Sequence, residues 1–243
     1  STPKPSSAAS DVYKRQLMSV EHEQRGTASA RERAYENLRQ RILLGHLAPG
    51  TTLLESEVAS LLSMSRTPVR EALIMLEGEH LIDIRPRRGM TVRRQSLQDL
   101  MQIYEVFSAL EAMACRIVAR EGLAPGVHAR LNQLMTAMER ATEKEDVAGW
   151  SELDDAFHWA IAEASGNDRL RATLRTYWAE QFRARMAIVP YRPLPVRSNV
   201  EHRRLVEVLV SGDEFKAAQM LQSHREHADA MAIELFRAHA LSG

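Results

Sequence analysis

The chain has 243 residues, 44% hydrophobic, 5% aromatic and 26% charged, with 32 basic and 32 acidic side chains. That length holds one large domain or two ordinary ones, and the wealth of Ala, Leu, Met, Glu and Arg favours helices. No apolar run approaches the ~20 residues of a membrane helix, and the single cysteine, Cys115, excludes an internal disulfide framework and fits a cytoplasmic protein, where a small buried apolar role suffices for it.

Residues 1–28 are polar, rich in Ser, Ala and Pro at the start, and carry no apolar period. They read as a disordered leader, and 6–16 looks foreign to the native chain and is set aside. From Ser29 the pattern changes. Ala34, Leu38, Ile42 and Leu43 form a helical stripe that ends at Gly45, and Leu47-Ala48-Pro49-Gly50 is a turn. A short helix is predicted over 55–62, with Val58, Leu61 and Leu62 inward. Ser63-Met64 connects it to the run Ser65-Arg66-Thr67-Pro68-Val69-Arg70-Glu71-Ala72-Leu73. Pro68 is tolerated only in a first helical turn, so a helix starts at Ser65 to Thr67 and ends near Glu79. Arg66 and Arg70 are four apart and share one face, while Val69, Leu73 and Leu76 share another. A helix start bearing hydroxyls, free N–H groups and arginines suits DNA phosphates and guanine edges. Ile82 and Ile84 then alternate with polar residues, Pro86-Arg87-Arg88-Gly89 turns, and Met90 to Val92 alternates back.

Three helices followed by a basic-tipped hairpin make a winged helix-turn-helix over 29–94. Charge agrees: residues 29–94 hold 11 Arg against 8 acidic residues, whereas 95–243 hold 17 basic against 21 acidic. Tyr35, Leu38-Arg39, Ile42, Gly45, Pro49-Gly50, Leu54, Ala59, Ser65 to Leu73, Leu76, Leu81-Ile82 and the Arg87-Arg88-Gly89 turn resemble the N-terminal domain of GntR-family bacterial transcription regulators. The resemblance implies that Ser65 and Thr67 hold phosphates and Arg66 and Arg70 read bases. Arg87, Arg88 and Gly89 would form the wing, with Gly89 permitting close approach to the minor groove. Ser56 stands where some relatives have a further arginine. His80 stands where the family usually has glycine, so local strain is expected there.

Residues 95–243 read as helix throughout. Ser96 and Asp99 form a capping-box pair, and Leu100, Ile103, Val106, Leu110, Met113 and Ile117 give an inward stripe up to Gly122. Further helices are predicted over about 125–144, 146–165, 167–189, 196–211 and 212–240. The fold class is therefore mainly α: a winged helix-turn-helix followed by an all-α antiparallel bundle.

Four residues of the bundle are out of place on apolar faces: Asp154 and His158, four apart on one helix, and His202 and His224 on two others. One carboxylate and three imidazoles suit a borderline divalent metal, and the Asp-x3-His spacing puts two ligands on one helix face. A single buried histidine is more often a hydrogen-bonded core residue, so spacing alone leaves both readings open. Asp154-Asp155-Ala156-Phe157-His158, Ser165-Gly166-Asn167, Glu201-His202 and His224 are similar to the effector (FCD-type) domain of the FadR-like GntR subgroup. There an aspartate and three histidines commonly hold a metal beneath a small-molecule pocket. The resemblance implies a metal here, zinc first, with nickel or manganese also fitting; Asp155 and His227 are neighbouring alternatives for Asp154 and His224. The subgroup usually has an arginine three residues before a Leu-Glu pair to meet the effector. Here Phe107 precedes Leu110-Glu111 at that place, and Arg175, Arg183 and Arg185 are the candidate replacements, although arginines so placed more often belong to a solvated face or a domain interface.

These features describe a homodimeric transcription regulator, more often a repressor. It binds a palindromic double-stranded operator and answers to a small organic acid at a metal-containing pocket, with residues 95–243 carrying effector, metal and dimer contacts. Two other readings compete: a metal-dependent, hydrolase-like enzyme, for which no His-Glu-x-x-His motif or nucleophile elbow is found, and a DNA-binding protein whose metal is purely structural.

Overall fold

The computed structural model describes residues 28–43 and 45–239; the expected leader falls outside them except for Ala28. The chain divides between Gln95 and Ser96 into two compact units. The first holds α1 (Ala30–Leu43), β1 (Thr52–Leu53), α2 (Glu55–Leu62), α3 (Arg66–Gly78), β2 (Ile82–Arg85) and β3 (Gly89–Val92). The second holds α4 (Leu97–Glu121), α5 (Pro125–Glu143), α6 (Val147–Ala164), α7 (Asp168–Ile188), a short 3-10 turn (Val189–Tyr191), α8 (Val196–Ser211) and α9 (Glu214–Ala238). The fold is mainly α, as the patterning predicts.

In the first unit, Ala34, Leu38, Ile42 and Leu43 of α1 pack over Val69, Ala72, Leu73 and Leu76 of α3. A capping box opens α1: the Ser29 N–H donates to Glu32 Oε2 (2.7 Å) and the Glu32 N–H to Ser29 Oγ (3.2 Å). Tyr35 and Arg39 of α1 both hydrogen-bond Glu79, which caps the end of α3, Arg39 Nε at 2.9 Å. These contacts fix the attitude of α3, the helix with the exposed arginines. The antiparallel sheet has the order β1-β3-β2, with Ile84 opposite Met90 and Arg85 opposite Gly89.

Two expectations change here. Strand β1 has two residues, too few to alternate visibly, and it exists because β3 offers it an edge. In α2 the buried pair is Val58 and Ala59, Leu62 is half-buried and Leu61 is 41% exposed. A face centred between Val58 and Ala59 leaves Leu61 about 110° round the helix, outside the core.

In the second unit, α4 and α9 lie along one another, α5 packs on α6 and α8, and α7 packs on α4 and α6. Phe107, Cys115, Trp150, Phe157, Leu174, Leu205 and Leu221 share one core. Leu100, Tyr104, Ala184, Ile188, Ala232 and Phe236 form another. Ser96 and Asp99 make the expected capping box, and Asn167 caps α7. The expected stripe of α4 is wrong in part: Val106 and Met113 are 46% and 43% exposed, whereas Tyr104, Phe107, Glu111, Cys115 and Val118 are buried. Both stripes have helical spacing. The true one contains a glutamate, so hydrophobicity alone selects the wrong face.

Candidate nucleic-acid interface and metal centre

In the first unit, Ser65 is the N-cap of α3, extended at φ −70, ψ 160, and its hydroxyl makes no cap bond to the helix. Arg66, Thr67 and Arg70 are exposed on the first turns. Arg70 Nε lies 3.7 Å from Glu55 Oε1, but its side chain stays 73% exposed, so that pair is weak and easily exchanged for another acceptor. Arg66 and Arg70 share a groove with Ser56 of α2 and with Arg85, Arg87 and Gly89 of the hairpin. Arg88 is exposed at the tip, where its N–H donates to the Arg85 carbonyl (3.0 Å). The arrangement is one exposed cationic helix start beside one cationic hairpin tip.

Gly89 has a reason within the sheet itself. It sits at φ +77, and a Cβ there would lie 2.1 Å from the Leu53 carbonyl oxygen of β1. The sheet itself excludes a side chain at this position, so Gly89 shapes the wing and needs no DNA contact to explain it. His80 takes φ 55, the left-handed conformation in which glycine costs least. Its Nδ1 meets Arg93 at 3.1 Å.

In the second unit, Asp154, His158, His202 and His224 are all buried, and one ligand atom from each lies within 4.8 Å of the others. His202 Nε2 is 3.1 Å from His224 Nε2 and 3.4 Å from Asp154 Oδ1, and His158 Nε2 is 3.7 Å from that same oxygen. Ligands at ~2.1 Å from one ion stand roughly 3.0–3.4 Å apart in octahedral or tetrahedral sets. Asp154 Oδ1 is buried without a hydrogen-bond donor, an orphaned acceptor of the kind a cation satisfies. The donor set fits zinc, nickel or manganese equally in its chemistry.

The surrounding groups orient these ligands. His158 Nδ1 is 3.0 Å from Glu111 Oε1, and His224 Nδ1 is 2.7 Å from Glu201 Oε2. The Glu201 carboxylate, hydrogen-bonded at Nδ1 of His224, places the proton there and turns the Nε2 lone pair toward the other ligands, whereas Glu111 meets His158 as an ion-pair neighbour. Burial disfavours a charged His158 ring, but the Glu111 and Asp154 carboxylates outweigh it and push its pKa up to about 9. Burial, and then the neighbouring His224, hold His202 well below the usual histidine range. Burial likewise lowers His224, against the hydrogen bond that it donates to Glu201. Burial would raise Glu201, yet hydrogen bonds from His224 and Arg197 hold it at about 2.

The neighbouring alternatives face elsewhere. Asp155 accepts from Trp178 Nε1 (2.9 Å) and from Arg185, and His227 is 46% exposed beside Arg197.

A cavity of about 20 Å³, room for a water molecule, adjoins two of the four ligands, Asp154 and His224. Its walls include Asp154 and His224, Tyr104, and the guanidinium groups of Arg185, Arg192 and Arg225. Arg185 Nη1 donates to Asp154 Oδ2 at 2.7 Å. Arg225 stands between Glu111 (3.3 Å) and Asp229 (3.3 Å), 5.4 Å over the Phe107 ring. Phe107 is thus a buried seat for an arginine from α9 and does not line the cavity. Arg175 and Arg183 do not line it either: Arg175 lies exposed over Trp159 (5.4 Å), and Arg183 is half-buried. On α7, Arg183 stands about 160° round the helix from Arg185. Sequence reasoning missed Glu111, Arg192 and Arg225. A glutamate four residues after Phe107 was the available signal for the first; nothing in spacing marks the other two.

Comparison with known proteins agrees with both halves. Residues 30–92 match the model described as bacterial regulatory proteins, gntR family, and residues 102–227 match the FCD domain. An HTH-type transcriptional regulator of Streptomyces ambofaciens is 30% identical over 207 residues, covering 85% of this chain and 86% of that protein. The HTH-type transcriptional repressor RspR of Escherichia coli K12 is 33% identical over 146 residues, 60% of this chain and 64% of that one. Among solved structures, E. coli McbR/YncC superposes with a TM-score of 0.73 at 23% identity, covering 86% of this chain and all of that one, a likeness of fold.

Proposed function

The chain belongs to the GntR family of DNA-binding transcriptional regulators and carries an FCD effector domain, and we propose that it is a homodimeric repressor. In this reading it grips a palindromic operator and releases it when a small organic acid occupies the metal-containing cavity of the second unit. The observation that carries the reading is the cavity itself, whose lining includes Asp154, His224 and three arginines. The family and the named relatives are regulators rather than enzymes. RspR is named a repressor, which supports that sign of control.

Asp154, His158, His202 and His224 would hold the ion, and a divalent ion there supplies a Lewis-acidic position for an anionic oxygen. The chain's own residues do the rest. Glu111 and Glu201 hold imidazole tautomers, and Arg185 steadies the second oxygen of Asp154. A cavity of about 20 Å³ takes an organic acid only if its walls move outward. An effector therefore selects an expanded form, which supplies the differential affinity that control requires. Val106, Ala109 and Met113 form an exposed stripe on α4, and a second copy covering it would suit the dimer. Among the described residues no helix is long and apolar enough to cross a membrane; a DNA-bound role belongs in the cytoplasm.

The test uses zinc-loaded protein and DNA from upstream of its own gene. Fluorescence anisotropy measures DNA affinity with and without each member of a panel of small carboxylates and sugar acids that shift thermal stability. Release by a stabilising acid supports the reading. DNA binding that ignores every acid, with the metal still stabilising the protein, favours a purely structural metal.

A further inference from the structure

Arg185 and Arg225 each stand against two carboxylates, Asp154 and Asp155 for the first, Glu111 and Asp229 for the second. Arg192 does not. It follows the 3-10 turn between Pro190 and Pro193, and its guanidinium stacks over the Trp150 ring at 4.6 Å. Among the described residues no carboxylate pairs with it, and Asp154 acts on it only at longer range. Its Nε is buried without a hydrogen-bond partner, and the side chain lines the cavity. A desolvated guanidinium with unused donors is costly unless an anion completes it.

The charge around the cavity points the same way. Three guanidinium groups face four carboxylates, Asp154, Asp155, Glu111 and Asp229. With neutral imidazoles and a divalent ion in place, the cluster carries one net positive charge. Low-dielectric surroundings penalise any net charge, so the matching ligand brings one negative charge.

We propose that Arg192 is the residue that captures the effector's anionic group, and that the effector is a singly charged carboxylate rather than a di- or tricarboxylate. This rests on the proposed reading of the cavity as the effector site. Arg192 meets the anion with its free N–H edge while Trp150 keeps the guanidinium plane in position. Arg185 and Arg225 remain with their carboxylates and shape the walls.

The test uses the full zinc-loaded chain. Acetate, glycolate and gluconate serve as singly charged probes and malonate and succinate as doubly charged ones, read by thermal shift and by tryptophan fluorescence. Trp150 reports any change at the ring under Arg192. The expected result is stabilisation and a fluorescence change with a singly charged probe, and weaker response to the doubly charged ones. Arg192→Ala should weaken that binding by about 10- to 100-fold and Arg192→Lys by less, since one charge-assisted contact set is lost. Zinc uptake by each variant shows that the domain has folded. Equal binding by Arg192→Ala and the unaltered protein overturns the role of Arg192. Tighter binding of malonate or succinate overturns the charge class. If no carboxylate of either class binds, the effector-cavity reading fails and this inference fails with it.

Discussion

His158 Nδ1 faces Glu111 Oε1 at 3.0 Å, with both side chains 3% exposed. The pair joins α6 to α4 and sets which nitrogen of His158 looks toward Asp154, His202 and His224. Glu111→Gln keeps an acceptor at that place but removes its charge, and it leaves Arg225 with Asp229 alone. The variant should bind zinc about 10- to 100-fold more weakly, the usual effect of losing a partner that orients a ligand. Competition against a chromophoric chelator measures it. Unchanged zinc affinity would mean that Glu111 serves the packing of Arg225 and not the metal ligands.

Metal removal should destabilise the protein, and the size of the effect should depend on pH. In the metal-free protein burial opposes charge on His158, but Glu111 and Asp154 hold its pKa at about 9, above the ordinary 6.5. A raised histidine pKa contributes stability that is full below the unfolded value and is lost as pH rises through the folded one. The chelated protein therefore loses stability between about pH 6.5 and 9, whereas bound metal needs the deprotonated ring and is favoured over that same interval. The difference in Tm between zinc-loaded and chelator-treated protein should widen from pH 6.5 to 9. At 100 times Kd of free zinc the metal contributes about 2.7 kcal/mol. A Tm difference that is flat with pH would remove His158 from the ligand set.

The two departures from expectation on α4 and the wing have the same origin. Val106, Leu110, Met113 and Ile117 have the period of a core-facing stripe, and so do Tyr104, Phe107, Glu111 and Val118. Hydrophobicity prefers the first because the second contains the carboxylate that serves His158. Asp154, His158, His202 and His224 were legible because imidazoles on apolar faces stand out. Arg192 and Arg225 were not, because an arginine's burial depends on tertiary neighbours that spacing does not record. On the wing, the Arg87-Arg88-Gly89 turn was legible, but the reason for Gly89 lies in Leu53, a strand partner about forty residues away in a two-residue strand that leaves no pattern.

His80 is a left-handed residue, φ 55, in the turn between α3 and β2. His80→Gly relieves the Cβ clash at the cost of one exposed contact to Arg93 and of added freedom in the unfolded chain. The net expectation is a gain of about 0.5–1 kcal/mol, seen as a higher denaturation midpoint of the DNA-binding unit. By contrast, Gly89→Ala meets both a positive φ and the Leu53 carbonyl. It should cost about 2 kcal/mol or more. A neutral result for Gly89→Ala would show that β1 yields easily.

In the proposed reading the arginines of the first unit divide by what they would touch on DNA, and salt separates them. Arg70 stands on the exposed face of α3 near its start, where a guanidinium pairs with guanine O6 and N7, so Arg70→Ala should cost ~1–3 kcal/mol of specific binding while leaving non-specific binding nearly unchanged. Arg88 stands exposed at the hairpin tip, where a phosphate or groove wall is the natural partner. Arg88→Ala should weaken binding to all sequences alike and reduce the dependence of log K on log salt by about 1. Anisotropy titrations on operator and scrambled DNA at several salt concentrations measure both. The weak Glu55 pair at 3.7 Å gives a further check: Glu55→Gln removes a competing negative charge and should leave operator affinity equal or slightly raised. If Arg70→Ala binds operator as tightly as the unaltered protein, α3 is not the helix that reads the bases.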